Sequence, residues 1–237
     1  MVMQCLSSKS SYMIVVAGGK GMRFGSEIPK QFLPIGGKPI LIRTIEKIKK
    51  AIADINIILV LPKEFKDYWQ LLINEYGFEI EHKVVEAGEE RFFSVKNGIN
   101  AICDQDAIIG IHDGVRPFVS LEVVRNSMLM AEELGNAIPA INPVETIRLG
   151  KKDNSNYSSS TFNRDDVFLV QTPQCFDSKI LKKAYSQPFD KAFTDDASVV
   201  EKLGYKINLV EGNRENIKIT NPLDIIYAEI LIDEFKD

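Results

Sequence analysis

Two spacings of apolar residues alternate along most of the chain. Short, mostly β-branched runs predict buried strands. Between them, apolar residues recur three or four positions apart, as at Leu41, Ile45 and Ile48, and this spacing predicts amphipathic helices. The predicted strands are Met13–Ala17, Ile55–Leu61, Lys83–Glu86, Ala107–Ile111, Ala137–Ile141, Val167–Val170, Lys206–Val210 and Ile217–Thr220. The predicted helices are Pro39–Ile52, Phe65–Tyr76, Phe92–Ile102, Ser120–Leu134, Ser178–Tyr185, Thr194–Leu203 and Pro222–Phe235. Such alternation predicts an α/β fold with three Rossmann-like layers around a mostly parallel sheet.

A polar stretch interrupts the alternation between Pro143 and Arg164. It is rich in Gly, Lys, Asn and Ser, and the strand-like segments Glu145–Leu149 and Ser160–Phe162 flank it. This arrangement predicts a protruding β-hairpin arm over residues 143–165.

The rest of the chain shows no internal repeat and no linker that would separate two domains. We therefore expect one domain over residues 13–237, which carries the arm. Residues 1–12 are Ser-rich and lack an apolar core segment, so we expect a disordered N-terminal tail rather than a secretory signal.

Charge and cysteine content narrow the possible partners. The 29 Lys and Arg against 33 Asp and Glu give a net charge of −4 and a pI near 5.4, which disfavours binding to nucleic acid. No apolar run reaches the roughly 18 residues of a membrane-spanning helix, so we expect no membrane partner. Cys5, Cys103 and Cys175 lie far apart and form no C-x-x-C pair. Neither a disulfide framework nor a zinc site is indicated, and a cytoplasmic location fits.

The first predicted strand runs into a glycine-rich turn, Gly18–Gly21. Glycines let backbone N–H groups approach a phosphate closely, although a simple tight turn is the alternative explanation. No Gly-Lys-Ser/Thr follows, so this is not a P-loop, and Phe24 stands where a dinucleotide fingerprint requires its third glycine. Arg23 and Lys30 follow the turn and favour a locally positive, phosphate-binding pocket.

A middle strand ends at Asp113, just before Gly114. A carboxylate at this place can hold Mg²⁺ together with substrate phosphates, or it can simply cap the turn. His112 precedes it, but neighbours on a strand point to opposite faces, and the chain has no Gly-x-Ser-x-Gly motif. A hydrolase triad is therefore disfavoured. Lys218, on another predicted strand, is either a solvated edge residue or a third cation near the anion site.

Several short motifs occur together in one order. They are Ala17-Gly18-Gly19-x-Gly21-x-Arg23, Pro29-Lys30-Gln31, Gly88-x-x-Arg91-x-x-Ser94-Val95, His112-Asp113-x-x-Arg116-Pro117, Thr172-Pro173-Gln174, Thr194-Asp195-x-Ala197-Ser198 and Glu211-Gly212-x-x-x-Asn216-Ile217-Lys218-Ile219-Thr220. Each motif is short, but their joint order and spacing are specific. From Met13 to Phe235 the chain resembles the 2-C-methyl-D-erythritol 4-phosphate cytidylyltransferase family.

The resemblance implies a nucleotide-diphospho-sugar transferase type of fold and the transfer of a cytidylyl group from CTP to the methylerythritol phosphate, with Mg²⁺ as cofactor. The implied catalytic residues are Arg23, Lys30 and Lys218. The implied CTP-binding residues are Ala17, Gly18, Gly19, Gly21, Gly88, Glu89, Ser94 and Gly114. The implied acceptor-binding residues are Asp113, Arg116, Thr146, Arg164, Thr172 and Thr194, of which Asp113 would also face the metal. In this family the arm reaches into the partner subunit of a homodimer, where Arg164 would bind the acceptor's phosphate.

Two alternatives remain open at this point. Ala17-Gly18-Gly19 and Val115-Arg116-Pro117-Phe118 are also similar to the ribitol 5-phosphate cytidylyltransferases, so ribitol 5-phosphate or another sugar phosphate is a second candidate acceptor. A nicotinamide-dependent oxidoreductase or a non-catalytic nucleotide sensor is the third hypothesis. The missing third glycine argues against the oxidoreductase, and a sensor need not keep Arg23, Lys30 and Lys218 together.

Overall fold

The computed structural model describes residues 9–19, 28–153 and 156–234. The strands are β1 (Ser10–Val16), β2 (Pro34–Ile35), β3 (Lys38–Pro39), β4 (Asn56–Leu61), β5 (His82–Glu86), β6 (Ala107–Asp113), β7 (Asn136–Ile141), β8 (Arg148–Asp153), β9 (Asn156–Thr161), β10 (Leu169–Val170), β11 (Gln174–Asp177) and β12 (Leu209–Glu211). The helices are α1 (Ile40–Ala51), α2 (Lys66–Tyr76), α3 (Arg91–Asn100), α4 (Leu121–Leu134), α5 (Ser178–Ala184), α6 (Asp196–Glu201) and α7 (Pro222–Glu234).

A central sheet with the strand order β5-β4-β1-β6-β11-β7 organises the molecule, and β10 and β12 also pair with β7. The pairs β5–β4, β4–β1, β1–β6 and β7–β12 are parallel, whereas β11 runs antiparallel to both of its neighbours. The prediction of an α/β fold with a largely parallel sheet is confirmed. In the part of the chain that the structure describes, no helix is long and apolar enough to cross a membrane.

Alternating side chains of the central strands build the two faces of the sheet. Met13 and Val15 of β1 pack in a cluster with α1, α2 and α4, whereas Ile14 between them packs in a second cluster with α3, α5 and α6. Both faces are therefore covered, which explains why the central strands are apolar almost throughout.

The helix boundaries follow local chemistry. The Ser120 hydroxyl accepts a hydrogen bond from the N–H of Val123 at the start of α4, and Gly135 ends that helix with a φ of +87°. Gly77, with a φ of +58°, ends α2 in the same left-handed conformation. The start of α4 and the ends of α2 and α4 thus agree with the prediction. Local residues in the sequence therefore determine where the loops that follow these helices begin.

The predicted boundaries and strands need three corrections. The sheet includes Gln174–Asp177, which was not predicted because four residues inserted between longer strands show no apolar alternation. The segment Ile217–Thr220 forms no regular strand: its N–H at Ile219 bonds the carbonyl of Val115, and the Ile219 side chain packs against α7. β1 begins at Ser10, inside the predicted N-terminal tail, and residues 1–8 lie outside the described range.

The predicted arm is a separate two-stranded sheet, but its strands lie closer to the tip than expected. Arg148 pairs with Thr161 at one end and Asp153 pairs with Asn156 at the other. The Arg148 guanidinium also donates to Ser159 Oγ (2.8 Å) and to Thr161 Oγ1 (3.1 Å). Backbone pairing and these polar contacts extend the hairpin through residues that carry no apolar signal. At the arm's base, Arg164 Nη1 donates to the carbonyl of Val144 (2.9 Å).

Candidate functional site

A cleft of about 1020 Å³ opens at the carboxyl ends of β1, β4, β5 and β6. Ligands of open α/β sheets bind at this edge. The ends of these four strands contribute Val16–Gly19 (β1), Pro62–Glu64 (β4), Glu86–Arg91 (β5) and Asp113 (β6) to the lining. The predicted residues that line it are Ala17, Gly18, Gly19, Lys30, Gly88, Glu89, Ser94, Asp113 and Lys218.

The glycine-rich segment after β1 is held in place from below. The Ala17 N–H bonds the carbonyl of Val60, and the buried Gln31 amide donates to the carbonyls of Ala17 (3.0 Å) and Gly19 (3.4 Å). A Cβ at Gly18 would lie only 3.2 Å from the Cβ of Ala87, whereas a Cβ at Gly19 would meet no atom of the described residues within 4 Å. Among the described residues, nothing fills the space beside Gly19 in the cleft. Gly21 and Arg23 lie outside the described residues.

The opposite wall is the turn from β5 into α3. The Gly88 N–H donates to Ser94 Oγ (3.0 Å), and a Cβ at Gly88 would collide with Phe93. Glycine is therefore required at this turn for steric reasons. Glu89 is exposed in the same turn, and Arg91 begins α3 with its guanidinium at the cleft wall.

The floor of the cleft carries a cluster of opposite charges around Asp113. Its Oδ2 lies 3.1 Å from Lys218 Nζ and 3.1 Å from Arg116 Nε, and Arg116 Nη1 also donates to the carbonyl of Asn216 (2.7 Å). Burial alone would raise the pKa of Asp113, but Lys218, Arg91 and Arg116 together hold it well below its usual range. The carboxylate is therefore ionised at neutral pH, and it orients two cations at the end of β6.

His112 and Thr172 support this floor from inside the protein. His112 Nε2 lies 3.1 Å from the carbonyl of Arg116, which can only accept, so Nε2 carries the proton. The Thr172 hydroxyl then donates to His112 Nδ1 (3.0 Å), and its oxygen accepts from the Asp113 N–H (3.1 Å). Burial lowers the pKa of His112 to about 4, so the ring is neutral at pH 7.

The remaining predicted residues of the described ranges do not line the cleft. Gly114 is buried beneath it, and its N–H bonds the carbonyl of Val16 (2.9 Å). Thr194 is exposed just before α6. Thr146 and Arg164 are exposed at the base of the arm. The structure thus brings six of the eight predicted nucleotide-binding residues into one cleft, whereas most of the predicted acceptor-binding residues lie around the cleft or on the arm.

Asp113 is the carboxylate at the cleft floor, and Glu64, Glu86, Glu89 and Glu90 also line the cleft. Within the described ranges, no group of three or more His, Cys, Asp or Glu side chains could hold a metal ion. Asp113 is ionised and lies at the cleft floor, which fits a Mg²⁺ that takes its other ligands from substrate phosphates and water.

Two residues of the site had been seen in the sequence motifs without a role. Gln31 follows Lys30 directly, and its buried amide secures the glycine-rich segment. Arg91 stands between Gly88 and Ser94, and its guanidinium forms a two-point ion pair with the buried Asp196. Their places in the motifs gave a signal, but the atoms that they contact are distant in sequence.

The parallel sheet, the glycine-rich segment and the cations at its carboxyl edge define the class of protein: a nucleotide-binding α/β enzyme. The chain belongs to the family of 2-C-methyl-D-erythritol 4-phosphate cytidylyltransferases (IspD), whose model matches residues 12–234. The resemblance seen in the motifs is confirmed, and with it the enzyme class, a cytidylyltransferase of isoprenoid biosynthesis through the non-mevalonate pathway.

Individual relatives agree along nearly their whole length. The chain is 53% identical to the 2-C-methyl-D-erythritol 4-phosphate cytidylyltransferase of Bacteroides fragilis over 219 residues, which cover 92% of this chain and 98% of the relative. It is 50% identical to the enzyme of the same name from Bacteroides thetaiotaomicron, over 93% of this chain and 98% of the relative. The crystal structure of 4-diphosphocytidyl-2C-methyl-D-erythritol synthase from Anaerococcus prevotii superposes with a TM-score of 0.80 at 28% identity, covering 95% of this chain and 96% of that one.

Proposed function

We propose that the cleft at the carboxyl edge of the sheet is where this chain carries out its family's reaction. CTP and 2-C-methyl-D-erythritol 4-phosphate would give 4-diphosphocytidyl-2-C-methyl-D-erythritol and pyrophosphate. The observation that carries the proposal is the charged cluster of Asp113, Lys218 and Arg116, which lies in the floor of the same cleft as the glycine-rich segment.

The nucleotide fits between the two glycine-bearing walls. Ala17–Gly19 on one side offers backbone groups and little side-chain bulk, and Gly88 does the same at the start of the opposite turn, which suits close approach to a base and ribose. Lys30 and Lys218 line the same cleft and supply positive charge for the triphosphate, and we assign Arg23 the same role from the motif. Gly114 would act indirectly, because it packs under the glycine-rich segment.

The chemistry is governed by charge. An oxygen of the acceptor's phosphate attacks the α-phosphorus of CTP in line, and pyrophosphate leaves with the electron pair of the broken bond. Both reactants are anions, so positioning and electrostatic stabilisation should supply most of the rate enhancement. A phosphate monoester has its second pKa near 6 and needs no general base at pH 7. The neutral, fully buried His112 agrees with a reaction that uses no catalytic histidine.

Lys218 is the cation best placed for the transferred phosphate. Its ammonium remains partly exposed while Asp113 holds it from one side, so it can face a ligand without losing its position. Mg²⁺, when bound at Asp113 with the substrate's phosphates, would screen negative charge on phosphate oxygens. Arg116 is largely buried, and its donors are directed to Asp113 and Asn216. We therefore assign Arg116 and Thr172 to positioning of the cleft floor.

We propose that the protein is a homodimer that forms through the arm. The second subunit would complete the binding site for the acceptor. An isolated two-stranded hairpin is marginal in water, so a partner should pack on it. Apolar side chains are exposed at the base of the arm and on the adjacent β10, where Val144 is 63% exposed and Phe168 and Leu169 are each 46% exposed. Such a patch is typical of an interface. Arg164 and Thr146, both exposed beside it, would then reach the partner's cleft, where Thr194 would also contact the acceptor.

The free thiols of Cys103 and Cys175 suit a reducing cytoplasm, where we propose that the enzyme works. The acceptor is tested directly by incubating the pure protein with CTP, Mg²⁺ and either 2-C-methyl-D-erythritol 4-phosphate or ribitol 5-phosphate. Pyrophosphate release is then measured. We expect release with the first acceptor and little with the second. Faster release with ribitol 5-phosphate would overturn the assignment.

A further inference from the structure

A partly buried ion pair joins two segments that the proposed function assigns to different substrates. Arg91 Nη1 donates to Asp196 Oδ1 (2.9 Å) and Nη2 donates to Oδ2 (2.6 Å). Arg91 follows the proposed nucleotide-binding turn at Gly88–Glu90, whereas Asp196 follows Thr194, the proposed acceptor contact. The parallel, two-point pairing of a guanidinium with a carboxylate fixes orientation as well as distance.

The carboxylate end of this pair is held rigidly. Asp196 is fully buried, and the buried Tyr185 hydroxyl donates to its Oδ1 (2.5 Å). Tyr185 in turn stacks on Phe92, the residue after Arg91, with ring centroids 4.8 Å apart. Asp196 therefore has little freedom to move without Arg91 and α3.

The segment that carries Thr194, the proposed acceptor contact, is linked to Asp196 through the first turn of α6. Asp195 and Ser198 form a capping box, and the Thr194 N–H donates to Ser198 Oγ (3.0 Å). The buried Gln174 of β11 holds this turn from the sheet side, with bonds to Asp195 Oδ2 (2.8 Å) and from the Ala197 N–H (2.9 Å). A displacement of Asp196 would thus move Thr194 with it.

We propose that Arg91 and Asp196 are positioning residues that couple the two substrate sites. The inference rests on the proposed function. A nucleotide seated on the Gly88–Ser94 turn fixes Arg91, Arg91 fixes Asp196, and Asp196 fixes the segment that presents Thr194 to the acceptor. A buried ion pair is by itself weak evidence of added stability, whereas its geometry is well suited to fix the relative position of two segments. The acceptor should therefore bind more tightly when the nucleotide is present, and this difference should depend on the pair.

The test measures acceptor affinity with and without nucleotide. Isothermal titration gives the Kd of 2-C-methyl-D-erythritol 4-phosphate alone and in the presence of a CTP analogue with a methylene group between the α- and β-phosphorus, which cannot react. The ratio is the acceptor's Kd without the analogue divided by its Kd with the analogue. In Asp196→Asn, we expect this ratio to be at least about fivefold lower than in wild type, while the Kd of the analogue alone stays within about twofold of wild type. The same pattern should appear in kinetics as a raised KM for the acceptor with a nearly unchanged KM for CTP.

Three further variants separate positioning from a merely structural role. Arg91→Lys keeps the charge but loses the two-point contact, so the ratio should fall as well. The double variant Arg91→Lys/Asp196→Asn should lose no more than the larger single loss, because both changes break one link. Glu46→Gln breaks the half-buried Lys38–Glu46 ion pair, which lies outside the cleft, and should leave the ratio unchanged.

The possible failures are distinguishable. If Asp196→Asn does not fold, Tyr185→Phe removes one contact to the same carboxylate and should lower the ratio partially. An unchanged ratio in the folded variants, or a ratio of one in the wild-type protein, overturns the inference. Pyrophosphate release by the wild-type protein is measured in parallel. If no pyrophosphate is released with this acceptor, the proposed function is wrong. If pyrophosphate is released but the ratio is unchanged in the variants, only the coupling is wrong.

Discussion

Lys218 Nζ lies 3.1 Å from Asp113 Oδ2, although the two residues belong to distant parts of the chain. The lysine comes from an irregular segment before α7 and the aspartate from the end of β6. Because Asp113 is buried and Lys218 remains 43% exposed, the carboxylate holds the ammonium from below while its other side faces the cleft. This pairing gives the cleft floor a fixed cation where a transferred phosphate would lie.

Lys218→Met should lower kcat by a factor on the order of 10²–10³, the scale for removing one preorganised donor to a transition state. Lys30→Ala should have an effect of the same order, because Lys30 lines the same cleft. Steady-state pyrophosphate release gives kcat for each variant. Lys179→Met is the matched control, since this exposed lysine pairs with Asp106 outside the cleft. Near-wild-type turnover in Lys218→Met would remove this residue from catalysis.

Gly19→Ala should weaken CTP binding by about tenfold without lowering the melting temperature. A methyl group at this position meets no atom of the described residues within 4 Å, so the free protein accepts it, but the methyl would occupy the space that a phosphate or ribose needs. Calorimetry of CTP binding and a thermal melt measure the two properties separately. Unchanged CTP affinity would show that the nucleotide does not approach Gly19.

Gln31→Met should raise the KM for CTP by about tenfold, because the loss of a buried donor leaves the carbonyls of Ala17 and Gly19 without their bond. The side chains are similar in size, so packing is largely kept. Ser178→Ala is the control: it also removes a buried polar group, in this case a hydroxyl that accepts from the Ala107 N–H at the amino end of β6, opposite the cleft. The control should lose stability but keep its KM for CTP. A similar rise in KM for both variants would show that Gln31 acts only through general stability.

Most of this architecture can be predicted from the sequence, because apolar spacing and helix-capping residues act on neighbouring positions of the chain. Apolar spacing places the central strands and helices, and Ser120 and Gly135 mark the ends of α4. β11 could not be predicted in the same way, since Gln174–Asp177 become a strand only through pairing with β6 and β7.

The candidate site also has a part that local motifs predict and a part that depends on tertiary contacts. Motifs placed Lys30, Asp113 and Lys218 at one edge, but a motif does not give the direction of a side chain. Thr172 was expected to contact the acceptor, yet its hydroxyl is engaged by His112 and the Asp113 N–H. The partners of Gln31 and Arg91 depend on tertiary contacts, so their roles required the structure.

CTP should be preferred over UTP by at least about 10²-fold in kcat/KM. A pocket that pairs its backbone groups with the cytosine amino group leaves polar groups unpaired when uracil takes its place. The two glycine-bearing walls at Ala17–Gly19 and Gly88–Ser94 are the basis for this expectation. The measurement compares the initial rates of pyrophosphate release with each nucleotide at a fixed acceptor concentration. Equal values would contradict the assignment of the base to these walls.

Arg164→Ala should lower kcat/KM for the acceptor by about 10²-fold while leaving CTP binding nearly unchanged. Arg164 lies at the base of the arm, where its Nη1 donates to the carbonyl of Val144. In the proposed dimer, its guanidinium binds the acceptor's phosphate in the partner's cleft. Steady-state kinetics and CTP calorimetry measure the two effects. Arg148→Ala is the control, since that arginine bonds Ser159 and Thr161 within the arm itself.

Mixing subunits tests whether Arg164 acts in trans. Inactive Lys218→Met subunits are combined with inactive Arg164→Ala subunits and allowed to exchange. If the arm serves the partner, a mixed dimer has one site with both residues intact. Random exchange makes half of the dimers mixed, so activity should return to about a quarter of the wild-type value. If mass spectrometry confirms mixed dimers and no activity returns, Arg164 acts in its own subunit or not at all, and the shared site is wrong.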